Sequence, residues 1–237
     1  MSFGSNRIIA GIFVLSTLFL QGCSSTAQYD FKKHGPIDKV SIVGLSEKEI
    51  TFVANIEWTS NAYSSAGAND HLARNIAKSL RNKMEPLHPA LQSAISSELK
   101  AHGIEVDVVP VQRSTFGLAE YAYASFYQHH LLENFVNIGF RQEQDGIMPT
   151  ITILYDIRSR TNPDRFERSI RIRRAASFGD VLLYIEKIDT DYVGYSNIRY
   201  PNVQYILDHP DQVASDLMSM VPPLGKAIAK NLYQSAK

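Results

Sequence analysis

The sequence predicts an α+β fold, a mixed and largely antiparallel sheet with helices packed on it in a single domain. Three observations carry that expectation. Apolar residues alternate with polar ones over 50–59, the period of a half-buried strand. Residues 91–111 read as a helix stripe, a glycine stop and a β-branched strand. Four strand-like segments then follow one another between 150 and 199 before the pattern returns to helix.

Taken in order, Lys39–Val43 reads as the opening strand of the folded part. In the next strand Ile50, Phe52, Ala54, Ile56 and Trp58 face one way and Thr51, Asn55, Glu57 and Thr59 the other, with Val53 the exception. Residues 61–69 are rich in Ser, Ala, Gly and Asn and read as a loop, after which Asp70 would cap a helix carrying Leu72, Ile76 and Leu80. A second helix has Pro89 in its first turn, Leu91, Ile95 and Leu99 on one stripe and Gly103 as its stop. Residues 104–111 form a strand, and the aromatic-rich stretch 116–132 reads as a third helix. Residues 150–158, 166–174, 181–188 and 192–199 are the four consecutive strands, joined by short turns, with Asn162-Pro163-Asp164 closing the first hairpin. Asp208 would cap a helix from Pro210 to Met220, Pro222-Pro223 would break it, and Leu224, Ile228 and Leu232 mark the last helix. A boundary near Gly146 is the alternative to one domain over residues 39–237.

Ahead of this lies a segment of different character. Met1 to Arg7 carries one positive charge, the thirteen residues 8–20 carry none, and Leu20-Gln21-Gly22 leads into Cys23, the chain's one cysteine. A charge-free run of thirteen residues is too short for a hydrocarbon core roughly 30 Å thick, so the segment reads as a signal peptide over 1–22 rather than a membrane span. Leu20-Gln21-Gly22-Cys23 resembles the lipobox of bacterial lipoproteins, with Gln21 a less usual residue at the tolerant position. The resemblance implies a diacylglycerol thioether on Cys23, and Ser24 in place of Asp implies an outer-membrane rather than inner-membrane address. Two or three acyl chains, at about 0.8 kcal/mol per buried CH₂, make such an anchor stable. Residues 23–38 are polar and aperiodic and read as a lipidated tether, spanning roughly 50 Å when extended.

Composition narrows the function classes. Hydrophobic residues at 44% and charged residues at 20% permit a packed core, and a single cysteine forbids an intrachain disulfide. Lys+Arg and Asp+Glu balance at 24 each, which argues against nucleic acid as a partner. The seven histidines include the adjacent pair His129-His130, but none has the spacing of a helical zinc pair, so no metal and no cofactor is expected. No nucleophile elbow, phosphate loop or His-Glu-x-x-His occurs, and no catalytic residue is assigned.

Two features are candidate partner-binding residues. Arg158, Arg160, Arg165, Arg168, Arg171, Arg173 and Arg174 crowd one hairpin, and alternation puts Arg171 and Arg173 opposite Ile170 and Ile172. Guanidinium groups at Arg165, Arg171 and Arg173 would suit lipid phosphate, lipopolysaccharide or an acidic protein, whereas cross-strand pairing with Asp180, Glu186, Asp189 and Asp191 is the purely structural account. Tyrosines recur at 184, 192, 195, 200 and 205, and Tyr192 and Tyr195 are the candidates to stack on a glycan or anchor an interface. In order and pattern, residues 91–111 and 181–195 are similar to the small α/β domains of the curli-secretion lipoprotein family and the amino-terminal domain of TolB. With the lipobox and the absence of catalytic spacing, the favoured expectation is a non-enzymatic lipoprotein of the periplasmic face of the outer membrane, bound to another envelope protein or a glycan. An anchored cell-wall or lipid hydrolase and an immunity-type lipoprotein are the alternatives.

Overall fold

A long strand, β6 (His129–Glu143), organises the sheet. The computed structural model describes residues 37–43, 50–57, 62–109, 112–113, 119–120, 129–159, 170–179 and 188–233. On one edge of β6 lie β1 (Lys39–Val43) and β2 (Ile50–Asn55), both parallel to it. They pair with consecutive stretches, β1 with His129 to Leu132 and β2 with Val136 to Arg141. A β-bulge between Glu133 and Phe135 separates the two stretches. Outside β1 runs β3 (Glu105–Val109), again parallel.

The other edge of β6 pairs antiparallel along its length with β7 (Gly146–Ser159), and β7 in turn with β8 (Ile170–Phe178). The last strand, β9 (Asp189–Gly194), is parallel to β8, so those two do not form the hairpin that a simple meander would give. The result is a seven-stranded mixed sheet, antiparallel at its centre and parallel at its flanks. Two short strands, β4 (Gln112–Arg113) and β5 (Ala119–Glu120), pair separately. The chain is thus an α+β protein with a single compact domain.

Gln144-Asp145 turns β6 into β7, so position 146 lies inside one continuous hairpin. Gly146 has φ +136°, and a Cβ there would lie 2.7 Å from the Tyr200 carbonyl oxygen. The close approach is needed because Ile147 and Tyr200 exchange backbone hydrogen bonds of 2.7 and 2.9 Å.

Among the described residues, five helices pack on one face of the sheet. They are α1 (Ala62–Leu80), α2 (Leu87–Ala101), α3 (Val203–Asp208), α4 (Pro210–Ser219) and α5 (Val221–Tyr233). Their buried residues, among them Ile76, Leu80, Leu91, Ile95, Leu99, Ile206, Leu217, Leu224 and Ile228, join a single core with Val136, Ile138 and Phe140 of β6 and Ile151, Ile153, Tyr155 and Ile157 of β7. Alternation explains the choice of face, since these strand residues all sit two apart. Ile37 is 6% exposed within that core, so the folded part begins two residues before β1 and takes in the end of the expected tether.

Several element expectations are corrected. Residues 62–69 are helix rather than loop, and Asp70 lies inside α1, paired with Arg74 one turn on. The reason is tertiary: the Asn69 side chain accepts from the Ile56 and Glu57 amides at 2.8 Å each and donates to the Glu57 carbonyl at 3.0 Å. That clasp fixes α1 to the end of β2 and extends the helix beyond what small polar residues alone would hold. Within 116–132, Ala119–Glu120 and residues from His129 onward are strand, because β6 already has partners on both edges there. The rest of that span, and most of 181–188 with Asn162-Pro163-Asp164, lies outside the described residues. Residues 195–199 follow β9 without joining the ladder. Asp208 does not cap α4; it closes α3 and accepts from Gln204 at 2.8 Å, while His209 stands at the cap position. Asn202 caps α3 instead, accepting from the Tyr205 amide at 2.8 Å.

Gly103 behaves as the sequence requires. With φ +78° it lets the Ile104 amide reach back to the Leu99 carbonyl at 3.1 Å, and the chain turns directly into β3.

Helices α2 and α5 meet at Gly225, where a Cβ would come within 2.6 Å of Ala94 Cβ and 3.2 Å of the Ile95 nitrogen. Gly225→Ala is therefore expected to destabilise the domain by about 1–3 kcal/mol through overpacking. Gly67→Ala, in α1 with nothing near its Cβ, is expected to stabilise by about 0.5–1 kcal/mol. Thermal melts of the two variants check both signs; a neutral Gly225→Ala would contradict the close packing.

Candidate functional site: the far face of the sheet

In the β7–β8 backbone register Arg158 pairs with Arg171, Ile157 with Ile172 and Asp156 with Arg173. Cys23 and Arg165 lie outside the described residues, as do Arg160 and Arg168.

Asp156 is fully buried. β9 enters register with β8 at Arg174, which pairs with Asp189, and Asp191 aligns with Ala176 of the core on the helix face. Asp191 is there engaged by Arg174, with Nη2 3.4 Å from Oδ1. Asp180 and Glu186 are outside the described residues.

Read as helix, His129 and His130 diverge by about 100°; the backbone there is instead strand β6, with His130 in register with Arg158.

The tyrosines divide. Tyr192 stands opposite Ser177 on the far face and is 61% exposed, and Tyr195, just past the end of β9, is 62% exposed. Tyr200 is buried instead, packed with Phe140 and Tyr205, and its hydroxyl donates to Asp216 at 3.1 Å. Tyr205 stacks on His209 at 4.2 Å. Tyr184 is outside the described residues. The two groups of candidates are not one patch: Tyr192 aligns with Ser177, four residues along β8 from Arg173, a separation of about 13 Å at strand rise.

Between them the far face is polar and buried. Asn137, Thr152 and Ser177 form one cross-strand row, with Thr150 in the next. The Thr152 and Ser177 hydroxyls are 2.9 Å apart, and Ser177 donates to the Gly179 carbonyl at 2.9 Å. The Asn137 amide and the Thr150 hydroxyl have no hydrogen-bond partner among the described residues.

On the helix face, Tyr155, Asp191, Arg174 and Asn231 link sheet to helix. Asn231 of α5 donates to the Tyr155 hydroxyl at 2.7 Å and to Asp191 at 2.5 Å. Burial, then the Asp191 charge, pushes Tyr155 above the ordinary phenol range, against the opposing pull of Arg174 and Asn231. Burial, then the charge and hydrogen bond of Asp216, does the same to Tyr200.

Among the described residues no group of three His, Cys, Asp or Glu side chains is placed to hold a metal, and no helix is long and apolar enough to cross a membrane. No protein-family model matches the chain, and no curated protein matches it.

The two phenols determine alkaline behaviour. Above about pH 10 an unfolded tyrosine releases its proton while native Tyr155 and Tyr200 keep theirs, so stability is at its full value below that pH and falls as the pH rises. The phenolate absorbance of the folded chain is expected to lag that of the denatured chain and to catch up only with unfolding. Tyr200→Phe should shrink the lag; a coincident titration of native and denatured protein would refute it.

Proposed function

We propose that the chain is a lipoprotein anchored in the outer membrane through Cys23, facing the periplasm, whose domain acts as a non-enzymatic binding or assembly component of the cell envelope. The observation that carries the reading is Cys23 itself, the one cysteine, placed directly after a charge-free run and Leu20-Gln21-Gly22. A polar stretch before Ile37 fits a tether between lipid and domain.

The binding role draws support from the sheet. Its helix face is filled with core, while the far face presents Tyr192 at its edge. Exposed tyrosines offer apolar area with a polar tip, the composition of interface anchors for an envelope protein or a glycan.

Cys23→Ala is expected to move the protein from the membrane fraction to the soluble one with an unchanged melting temperature, because Cys23 precedes the core residue Ile37 by fourteen positions in the sequence. Persistence in salt-washed membranes would overturn the anchor. For the binding role, a photo-crosslinker replacing Tyr192 or Tyr195 is expected to trap an envelope component in cells, whereas one at the exposed Lys226 of α5 is not. Equal yields at all three positions would remove the far face from the reading.

A further inference from the structure

Helices α2 and α5 lie side by side and run in the same direction. Gly225 meets Ala94 and Ile95, and further along both helices Tyr233 stacks on His102 at 3.8 Å and donates to Glu98 at 3.2 Å. Every charged residue exposed on these two helices is a lysine: Lys100 on α2, Lys226 and Lys230 on α5. Glu98, the one carboxylate of the pair, is half-buried and holds the Tyr233 hydroxyl. None of the three lysines has a salt bridge among the described residues. Lys226 and Lys230 are one turn apart on one face, and Lys230 and Lys100 stand in the last turns of their helices. The chain from the amino terminus enters at that same end. Gly103 turns α2 into β3, where Glu105 is in register with Lys39, accepts from its ammonium at 3.0 Å and donates its amide to the carbonyl of the exposed Asp38 at 2.8 Å. The opposite end of the helix layer mixes signs, with Arg81 and Lys83 beside Glu85 and Asp211, and Lys83 paired to Asp211 at 2.5 Å.

A lysine in a last turn complements the helix dipole, which accounts for Lys100 and Lys230 one helix at a time. It does not account for Lys226, two turns before the end of α5. We propose that the outer face of α2 and α5, at its Lys100 and Lys230 end, rests on the anionic headgroups of a lipid surface. Charge and tether together choose that occupant. A face whose exposed charges are all cations complements an anionic surface, where each lysine strengthens binding about fivefold. The fourteen positions from Cys23 to Ile37 keep this end of the domain within roughly 50 Å of the lipid. The lipid source thus rests on the anchored reading above. The sheet lies behind these helices, so the same orientation turns its far face, with Tyr192, away from the membrane and toward a partner.

The test uses the full chain carrying Cys23→Ala, so that acyl chains contribute nothing, with Lys100→Gln, Lys230→Gln and, as control, Arg81→Gln at the opposite end of the helix layer. Co-sedimentation at low salt with phosphatidylglycerol vesicles is expected to exceed that with phosphatidylcholine vesicles. It is expected to weaken about fivefold in either lysine variant and roughly 25-fold in the double variant, and to vanish at high salt. The control should bind as the parent does. All three side chains are exposed, so unchanged melting temperatures are expected and show that the variants fold. Equal binding to the two vesicle types, or equal losses in test and control variants, would overturn the proposal. Orientation is read separately. The Cys23→Ala chain has no other cysteine, so an environment-sensitive dye on Ser97→Cys, on the exposed face of α2, is expected to respond to phosphatidylglycerol vesicles and one on Tyr192→Cys is not. A response at Tyr192→Cys alone would overturn the orientation. Membrane retention of the unmodified protein is measured on its own, so loss of the anchor and loss of the lysine surface give different results.

Discussion

The structure depends on β6 keeping one register with partners on both of its edges. Val136, Ile138 and Phe140 are completely buried under the helices, while their neighbours Asn137 and Gly139 turn to the far face. Because side chains alternate with a period of two, a slip by one residue would drive Asn137 into the apolar core and expel Ile138 from it. The bulge between Glu133 and Phe135 absorbs the one irregularity in this ladder, and it lies between the stretches paired with β1 and β2. Every other strand of the sheet inherits its facing from β6, directly or through β7 or β1.

The same constraint separates two chemistries on one sheet. On the helix side, apolar residues of β1, β2, β6 and β7 meet the stripes of the helices, and the few polar groups present are tied to one another, as Asn231 is to Tyr155 and Asp191. Burial of such groups is tolerable because they are hydrogen-bonded. On the far side the interior is polar at its centre, with Asn137, Thr150, Thr152 and Ser177 all buried. A hydroxyl pair satisfies part of this layer, but the Asn137 amide has no partner among the described residues, a cost of about 1–3 kcal/mol that apolar residues of similar shape would avoid. Residue choice there is not explained by stability.

Much of the fold was legible because local pattern and tertiary environment agree. β2 shows its alternation, α2 shows both its stripe and its Gly103 stop, and the β-branched run after it becomes β3. Where the two disagree, the sequence misleads. The first turns of α1 are small and polar, and only the Asn69 clasp to β2 reveals why they are helical. His129 to Glu133 has no clear period by itself, so the start of β6 takes its identity from the strands on either side. The direction of β9 is equally invisible, since nothing in its six residues distinguishes parallel from antiparallel pairing. The arginines were legible as a group but not as partners. Their number is a property of composition, whereas the pairing of Arg173 with Asp156 and of Arg171 with Arg158 is a property of register.

That distinction limits what alternation alone can say of the basic hairpin. Alternation makes Arg171 and Arg173 equivalent, two positions of one strand two residues apart. The register makes them unequal: one backbone position pairs with that of Asp156, a buried carboxylate, and the other with that of Arg158. The two-residue period fixes which positions share a face, whereas only the partner strand and its register fix which residue lies across the ladder.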